Sequence, residues 1–252
     1  MSGTVVKARQ WLGRLLGDEV ALELRRYYQA YKLKRGHYDH SEAETALLNQ
    51  WVSEGSVALD VGANIGVYTR LLSKLVGRAG AVYAFEPVPV TYQALSYNAA
   101  RFENSNVVTY HAAVSDRCGV AEIVLPDRGF QSFYRAHLRS DDSDGTAFIR
   151  VQQLALDSLL DILPRVDFIK CDVEGAEMLV LIGAEELLTT RHPRILLEIQ
   201  SYPQNFAHQP QDVFDWLGIR GWHGHYLRGG SLHPCTGIAA DNPGPNYVFL
   251  RS

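Results

Sequence analysis

A glycine-rich turn lies where the first predicted strand gives way to a predicted helix, and it reads DVGANIG over residues 60–66. Gly62 and Gly66 allow a tight turn and a close approach of the backbone, so that amide groups of the helix N-terminus face a ligand. Glu86 ends the next predicted strand, twenty residues after Gly66, where an acid can accept hydrogen bonds from both hydroxyls of a ribose. The turn and the acid together predict a nucleoside-type ligand.

The charge at this turn favours one nucleoside cofactor over another. Asp60 stands ahead of Gly62, where its carboxylate would repel the pyrophosphate of a dinucleotide. S-adenosylmethionine presents a cationic amine and a sulfonium instead. Asn64 stands where a middle glycine would admit a pyrophosphate, and it can hydrogen-bond an amino-acid carboxylate. The pattern therefore favours S-adenosylmethionine, although a carboxylate in the position of Asp60 can also serve only as a turn or helix cap.

A second group of acids, the sequence DVEGAE over residues 172–177, follows a later predicted strand. Ligands of a doubly wound sheet bind beyond the carboxyl ends of the strands where the strand order reverses. We expect Asp172 at that point as the first catalytic candidate and Glu174 as the second, whereas Glu177 can simply favour the helix N-terminus. Glu198 and Gln200 end the next strand, and a polar cluster of this kind is costly without a task.

The chemistry expected of Asp172 is to orient or deprotonate an acceptor hydroxyl, because an alcohol does not release its proton at neutral pH. An alternative is a magnesium ion that lowers the pKa of the hydroxyl, held by oxygen atoms of Asp172, Glu198 and Gln200. The metal-free route is the default expectation. The histidines, among them His137 and His208, form no metal motif and are expected in loops or at strand ends.

These groups need a parallel sheet to bring them together, and the rest of the chain predicts one. Short apolar runs alternate with helical patterns, which is the signature of a sheet covered by helices on both faces. The runs AEIVLP and FIRVQQL predict antiparallel strands around a polar loop at 127–146. The predicted strands are 57–61, 81–85, 107–110, 166–171, 194–199 and 247–250, and the predicted helices are 67–76, 90–102, 176–188 and 213–217.

The first 36 residues differ from the remainder in charge. Residues 1–35 hold eight Lys and Arg against three acids, whereas the rest holds 16 against 25. We therefore divide the chain into a basic helical appendage, 1–36, and a main domain, 37–252. The appendage can bind acidic lipid or a partner protein, although an amphipathic helix with a solvated charged face is the plainer interpretation.

Composition narrows the class of protein. With 252 residues and 46% hydrophobic residues the chain can bury a full core, and it contains no apolar run of transmembrane length. Three widely spaced cysteines predict neither a disulfide framework nor a zinc site and fit a cytoplasmic protein. A net charge of −4 argues against a nucleic-acid partner.

Five segments, in this order and spacing, resemble the FkbM family of S-adenosylmethionine-dependent methyltransferases: VALDVGANIGVYT, VYAFEPVP, AAVSD, LDSLL and VDFIKCDVEGAE. The resemblance covers about residues 43–199 and is specific, because GANIG, the Glu-Pro pair and DVEGAE occur together. It implies a class I methyltransferase fold, which is a Rossmann-like, doubly wound, mostly parallel α/β sheet with a final antiparallel strand. It also implies O-methylation of a hydroxyl on a glycan or a polyketide-type natural product.

The resemblance further implies roles for individual residues. Glu86 would contact the ribose, Ala113 and Val114 the adenine, and Asp172 the methyl-transfer side. From the residues alone, Ala113 and Val114 read equally well as an ordinary turn. The methionine part would be lined by Asp60, Gly62, Asn64, Gly66, Tyr68 and Thr69.

Two other functions use the same features. A nicotinamide-dependent oxidoreductase would use the same turn and Glu86, and a catalytically silent scaffold would attach to a membrane-bound glycosyl assembly through the basic appendage. Nucleobase N-methylation is disfavoured, because DVEG stands where such enzymes carry an Asn/Asp-Pro-Pro-aromatic tetrapeptide.

Overall fold

The structure is a computed structural model, and it describes residues 42–124, 137–138, 148–163, 165–200 and 208–251. The described residues all belong to one compact unit, which spans 40–252. The appendage predicted at 1–36 and most of the loop predicted at 127–146 lie outside the described residues. Their structure and the domain boundary therefore stay predictions.

Twelve strands lie among the described residues: β1 Val57–Val61, β2 Ala81–Phe85, β3 Val107–Tyr110, β4 Ala113–Val114, β5 Gly119–Val124, β6 His137–Leu138, β7 Phe148–Leu154, β8 Phe168–Cys171, β9 Arg194–Glu198, β10 Trp222–Arg228, β11 Ser231–Cys235 and β12 Asn246–Arg251. Eight of them form the main sheet in the order β3-β2-β1-β8-β9-β12-β10-β11, and four form a smaller sheet in the order β4-β7-β5-β6.

The direction of the strands confirms the predicted fold class. Strands β3, β2, β1, β8 and β9 are mutually parallel, and β12 runs antiparallel between β9 and β10. This is the doubly wound class I methyltransferase sheet with its antiparallel last strand. The chain moves from β1 outward to β2 and β3 and then crosses back to β8, so the strand order reverses between β1 and β8. A ligand site is expected at the carboxyl ends of these two strands.

Helices cover both faces of the main sheet. One face carries Ala58, Phe168 and Leu196, which pack with residues of the first two helices, and the other carries Leu59, Ile169 and other residues that pack with the later helices. Burial on both faces explains why the central strands are short, almost continuous apolar runs. The helices are α1 Glu42–Trp51, α2 Val67–Val76, α3 Pro89–Ala99, α4 Glu177–Ile182, α5 Glu185–Arg191 and α6 Pro210–Ile219, with a 3₁₀ turn at Leu156–Leu159.

The sequence prediction was wrong at two places. The helix predicted at 176–188 is two helices that meet at Gly183, where a Cβ atom would lie 1.9 Å from the carbonyl oxygen of Ser115. This close contact requires glycine, and a glycine weakens a helix. The strands β10 and β11 were absent from the sequence prediction, and histidines and glycine interrupt the apolar pattern of this hairpin. Its turn contains Gly229 and Gly230 at φ of 58° and 79°, which is typical of a tight hairpin.

The smaller sheet confirms the predicted antiparallel pair, since β5 and β7 pair from Gly119 with Gln153 to Val124 with Phe148. Strand β4 pairs with β7 in parallel through Ala113 and Val114. No helix among the described residues is long and apolar enough to cross a lipid bilayer.

Candidate functional site

The glycine-rich turn packs directly against the end of β8. Gly62 has a φ of 77°, and a Cβ atom there would lie 1.8 Å from the backbone carbonyl oxygen of Asp172. The amide of Asp172 donates to the carbonyl of Val61 at 3.0 Å, which continues the parallel pairing of β1 and β8 past their ends. The structure thus brings the predicted cofactor turn and the predicted catalytic acid together at the point where the strand order reverses.

Gly66 begins the first crossover helix. It has a φ of 93°, a left-handed conformation that favours glycine, and it stands at the N-cap position of α2. A Cβ atom at this position would approach Leu95 Cδ1 to 3.0 Å. Gly66 therefore allows both the turn and the close packing of α2 against α3.

Glu86 ties the end of β2 to the same turn. Its Oε2 accepts the amide of Asn64 at 2.9 Å, and its Oε1 accepts the amide of Val88 at 2.9 Å. Burial raises the pKa of Glu86 to about 7, although the two amides act to lower it, and the charges of Asp60 and Asp172 add to the rise. Sequence spacing predicted the acid beside the turn, and the structure adds the direct hydrogen bond between them.

Asn64 adopts a left-handed backbone conformation, with a φ of 53°. Asparagine tolerates this conformation better than most residues, because its short polar side chain can bond locally. Here the side-chain Oδ1 accepts the amide of Ile65 at 2.8 Å. The predicted bond from Asn64 to a ligand carboxylate stays a prediction.

Asp60 and Thr69, one on each side of the turn in the sequence, form a buried pair. Both are fully buried at 0% exposure, and Thr69 Oγ1 donates to Asp60 Oδ2 at 2.6 Å. This bond links the end of β1 to the first turns of α2. The pair thus joins the two ends of the turn. Its contact with the methionine part of a cofactor stays a prediction.

Lys170 is a buried cation that sequence reasoning missed. It lies on β8, is 3% exposed, and its Nζ lies 3.0 Å from Asp172 Oδ2. Burial by itself lowers the pKa of an amine, but the carboxylates of Asp172 and Asp60 outweigh burial and raise the pKa of Lys170. Lys170 is therefore charged at neutral pH and forms an ion pair with Asp172.

A signal for Lys170 was present in the sequence. It interrupts the predicted central strand VDFIKC, and a lysine is almost never buried in such a strand without a partner. Side chains two residues apart on a strand share one face, which places Lys170 and Asp172 on the same side of the sheet.

Tyr68 contacts this ion pair from α2. Lys170 Nζ lies 4.9 Å from the centre of the Tyr68 ring, within the range of a cation–π interaction. The Tyr68 hydroxyl donates to Glu44 Oε1 at 2.5 Å, and Asn246 Nδ2 donates to the same oxygen at 3.0 Å. Burial is the main cause that raises the pKa of Tyr68, so the hydroxyl stays protonated. Helices α1 and α2 and strand β12 thus meet beside the site.

Three further acids, Glu174, Glu177 and Glu198, lie in or near the ends of β8 and β9. Glu198 accepts a hydrogen bond from Gln200, and burial together with the charge of Asp172 raises its pKa to about 7. Glu177 is 4% exposed and accepts the amide of Gly175 at 3.0 Å, and burial raises its pKa to about 7 as well. Glu174 has a φ of 55° in the turn after β8.

The magnesium alternative, with oxygen ligands from Asp172, Glu198 and Gln200, stays a prediction. Within the described parts of the chain, no group of three His, Cys, Asp or Glu side chains is placed to hold a metal ion. The cation that neighbours Asp172 Oδ2 is the ammonium group of Lys170.

Ala113 and Val114, predicted to line an adenine, form β4 and are 5% and 3% exposed. They belong to the smaller sheet. His208 lies just before α6, and its Nδ1 lies 3.9 Å from Asp212 Oδ2 in the first turn of that helix. His137 belongs to β6. Contact of these residues with a ligand stays a prediction.

Comparison with known proteins identifies a family. The model of the methyltransferase FkbM domain matches residues 60–226. Over 180 residues the chain is 27% identical to the AMB antimetabolite synthetase AmbE of Pseudomonas aeruginosa, covering 57% of this chain and 8% of that protein. It is 29% identical over 172 residues to the 31-O-demethyl-FK506 methyltransferase FkbM of Streptomyces tacrolimicus, covering 58% of this chain and 65% of that protein. The chain thus spans less than two thirds of each relative.

Two solved structures align with most of this chain at low sequence identity. The crystal structure of methyltransferase FkbM from Methylobacillus flagellatus aligns over 92% of this chain and 60% of its own, with a TM-score of 0.49 and 13% identity. Fibrillarin from Aeropyrum pernix, in complex with S-adenosyl-L-methionine, aligns over 82% of this chain and 72% of its own, with a TM-score of 0.47 and 14% identity.

Proposed function

The chain belongs to the FkbM family of methyltransferases, and on that premise we propose that it transfers the methyl group of S-adenosylmethionine to a hydroxyl oxygen of a glycan or a polyketide-type natural product. The observation that carries the proposal is the joined arrangement of turn and acid, in which Glu86 accepts the amide of Asn64 beside Gly62 and Asp172. This arrangement supplies a ribose acceptor, a close backbone approach and a candidate base at one edge of the sheet.

The residues at this edge fit a cationic cofactor. Asp60, Glu86 and Asp172 are three acids, and Lys170 is the buried cation paired with Asp172. The net negative charge of these groups attracts the ammonium and sulfonium groups of S-adenosylmethionine and repels a pyrophosphate. Glu86 has two carboxylate oxygens with about four lone-pair sites in all, so it can accept ribose hydroxyls while it keeps its two backbone donors.

The cofactor, when bound, supplies a methyl group that its sulfonium already activates. The protein must then bind the acceptor hydroxyl in line with that methyl group and remove one proton. Asp172 lies at the switch point with 28% of its side chain exposed, so a ligand can reach it. In the proposed mechanism its carboxylate orients the hydroxyl or accepts the proton, and Glu174 is the second candidate.

Oxygen as the methylated atom is supported by a relative. The Streptomyces tacrolimicus protein is named as a 31-O-demethyl-FK506 methyltransferase, which is a name for O-methylation of a natural product. A direct test is incubation with S-adenosylmethionine that carries a labelled methyl group, together with a panel of glycan and polyketide acceptors. Wild-type protein should label one acceptor class, and Asp172→Asn should lower turnover at least ~10²-fold. Labelling by Asp172→Asn at the wild-type rate would exclude Asp172 as the base.

The role of Glu86 needs a sharper test, because Glu86→Ala also removes two hydrogen bonds within the turn. Affinities of wild type and Glu86→Ala should be measured by calorimetry for S-adenosylhomocysteine and its 2′,3′-dideoxy analogue. Loss of the hydroxyls should weaken binding to wild type by roughly 10- to 150-fold, the cost of about 1.5–3 kcal/mol for hydrogen bonds to a charged group, and should matter little in Glu86→Ala.

The outcomes of these binding measurements separate the proposed methyltransferase from an oxidoreductase and from a scaffold. Equal losses in both proteins would place Glu86 away from the ribose. Tight binding of NADH with no binding of S-adenosylmethionine would favour the oxidoreductase. Binding of the cofactor without methyl transfer to any acceptor would favour a scaffold.

A further inference from the structure

A charged lysine in the centre of a parallel sheet needs a reason, because removal of an ammonium group from water is costly even when it is paired. Lys170 is 3% exposed, and it is the pairing partner of Leu196, which belongs to the apolar cluster on one face of the sheet. Its Nζ instead reaches Asp172 Oδ2 at 3.0 Å, beyond the end of β8. The ammonium group is therefore directed at the proposed site.

The register of the sheet fixes which charges lie around this ammonium group. Lys170 is the pairing partner of Asp60 on β1 and of Leu196 on β9. Asp172 and Asp60 are the two carboxylates that raise its pKa most strongly, and the Tyr68 ring lies 4.9 Å from Nζ. Glu198 is close enough to interact with the charges of both Asp172 and Lys170. One cation is thus shared among several acids, with Asp172 the acid in direct contact.

Asp172 is in turn fixed against the cofactor turn, because its carbonyl oxygen occupies the space that a Cβ atom of Gly62 would fill. If this turn holds the methionine part of S-adenosylmethionine, the Asp172 carboxylate faces the sulfonium end. Transfer of the methyl group converts the positively charged sulfonium into the neutral thioether of S-adenosylhomocysteine. The charge at Asp172 is therefore felt strongly by the cofactor and weakly by the product.

We propose that Lys170 is a positioning residue that holds the Asp172 carboxylate at the switch point and offsets its charge, so that the pair sets how strongly the site prefers S-adenosylmethionine over S-adenosylhomocysteine. The inference rests on the proposed function. The site must prefer S-adenosylmethionine over S-adenosylhomocysteine strongly enough to bind the cofactor in the presence of the product. The Lys170 ammonium group limits the size of this preference.

The test is a comparison of the dissociation constants of the two ligands, measured by calorimetry at pH 8. Lys170→Met leaves the carboxylate without its cation and should raise the preference for S-adenosylmethionine at least about fivefold, since a unit charge near a partly buried site changes binding by that order. Asp172→Asn leaves the ammonium group without its anion and should lower the preference at least about fivefold.

Two further variants act as controls. Lys170→Arg keeps the charge and should keep the preference within about twofold of wild type. Lys74→Met makes the same change at an exposed position on α2 and should leave the preference unchanged. Thermal unfolding verifies that each variant is folded. If Lys170→Met does not fold, Lys170→Gln removes the same charge with a polar side chain and should raise the preference in the same direction.

Opposite shifts in Lys170→Met and Asp172→Asn are the expected result, and a purely structural role would not produce them. Equal preferences in wild type and both variants, or shifts in the same direction, would overturn the role of the pair while wild-type binding of S-adenosylmethionine still supports the proposed function. Failure of wild-type protein to bind either ligand would overturn the proposed function and this inference with it.

Discussion

Gly62→Ala tests whether the close contact between the turn and the end of β8 is essential. The change adds a Cβ atom 1.8 Å from the carbonyl oxygen of Asp172, at a position with a φ of 77°. Left-handed backbone alone costs an alanine about 1–2 kcal/mol. Relief of the overlap must also move β8 away from β1, which endangers the bond from Asp172 to Val61, worth about 0.5–1.5 kcal/mol. We therefore expect a loss of at least about 3 kcal/mol in the free energy of unfolding.

Gly55→Ala is the matched control for this experiment. Gly55 has a φ of 84°, but a Cβ atom there would meet nothing within 4 Å, so the variant reports backbone strain alone. Urea unfolding should give a loss of about 1–2 kcal/mol for Gly55→Ala and a larger loss for Gly62→Ala. Calorimetry should give wild-type affinity for S-adenosylmethionine in Gly55→Ala and an affinity weakened at least ~10-fold in Gly62→Ala. Equal stability losses, or wild-type affinity in Gly62→Ala, would refute the reasoning.

Two further predictions concern pH and the appendage. Burial raises the pKa of Glu177 to about 7 from an ordinary 4.5, so the folded state loses stability as pH rises from 4.5 to 7. Glu177→Gln should therefore increase the free energy of unfolding by up to about 3 kcal/mol at pH 8 and leave it unchanged at pH 4. The control Glu103→Gln, at an exposed position, should leave the free energy of unfolding unchanged at both pH values. A gain for Glu177→Gln that is equal at both values, measured by urea unfolding, would contradict this sign. A chain that starts at His37 should bind S-adenosylmethionine as the full chain does, and a folded chain that fails to bind would place the appendage in the site.

The elements around the site were predictable because each is specified locally. Strands β1, β2 and β3 and helix α2 have the same bounds as the sequence predicted, since a continuous apolar run between turn residues leaves few alternatives. Gly62 and Gly66 predicted a tight turn, and both have the positive φ that glycine favours. The offset between the turn and Glu86 predicted their proximity, which the hydrogen bond from Asn64 confirms.

The parts that were missed depend on contacts between distant segments. Gly183 reads as one weak position in a long helix, and only its contact with Ser115, far earlier in the chain, makes it a break. Glu44 accepts hydrogen bonds from Tyr68 and Asn246, three residues on three elements that sequence spacing does not relate. Such contacts follow from the packing of the complete sheet, so a local pattern cannot contain them.

Lys170 is an intermediate case, because the sequence placed it correctly on a strand but did not indicate its role. The run VDFIKC predicts a strand whether its fifth residue is Lys or Leu, so the lysine added nothing to the fold prediction and was passed over. Its cost becomes informative only when burial is known, since an exposed lysine at a strand end needs no partner. Burial at 3% and a contact of 3.0 Å with Asp172 turn the exception in the apolar pattern into an ion pair at the switch point. A charged residue in the centre of a sheet lowers the stability of the fold, so its presence there indicates a role at the neighbouring site.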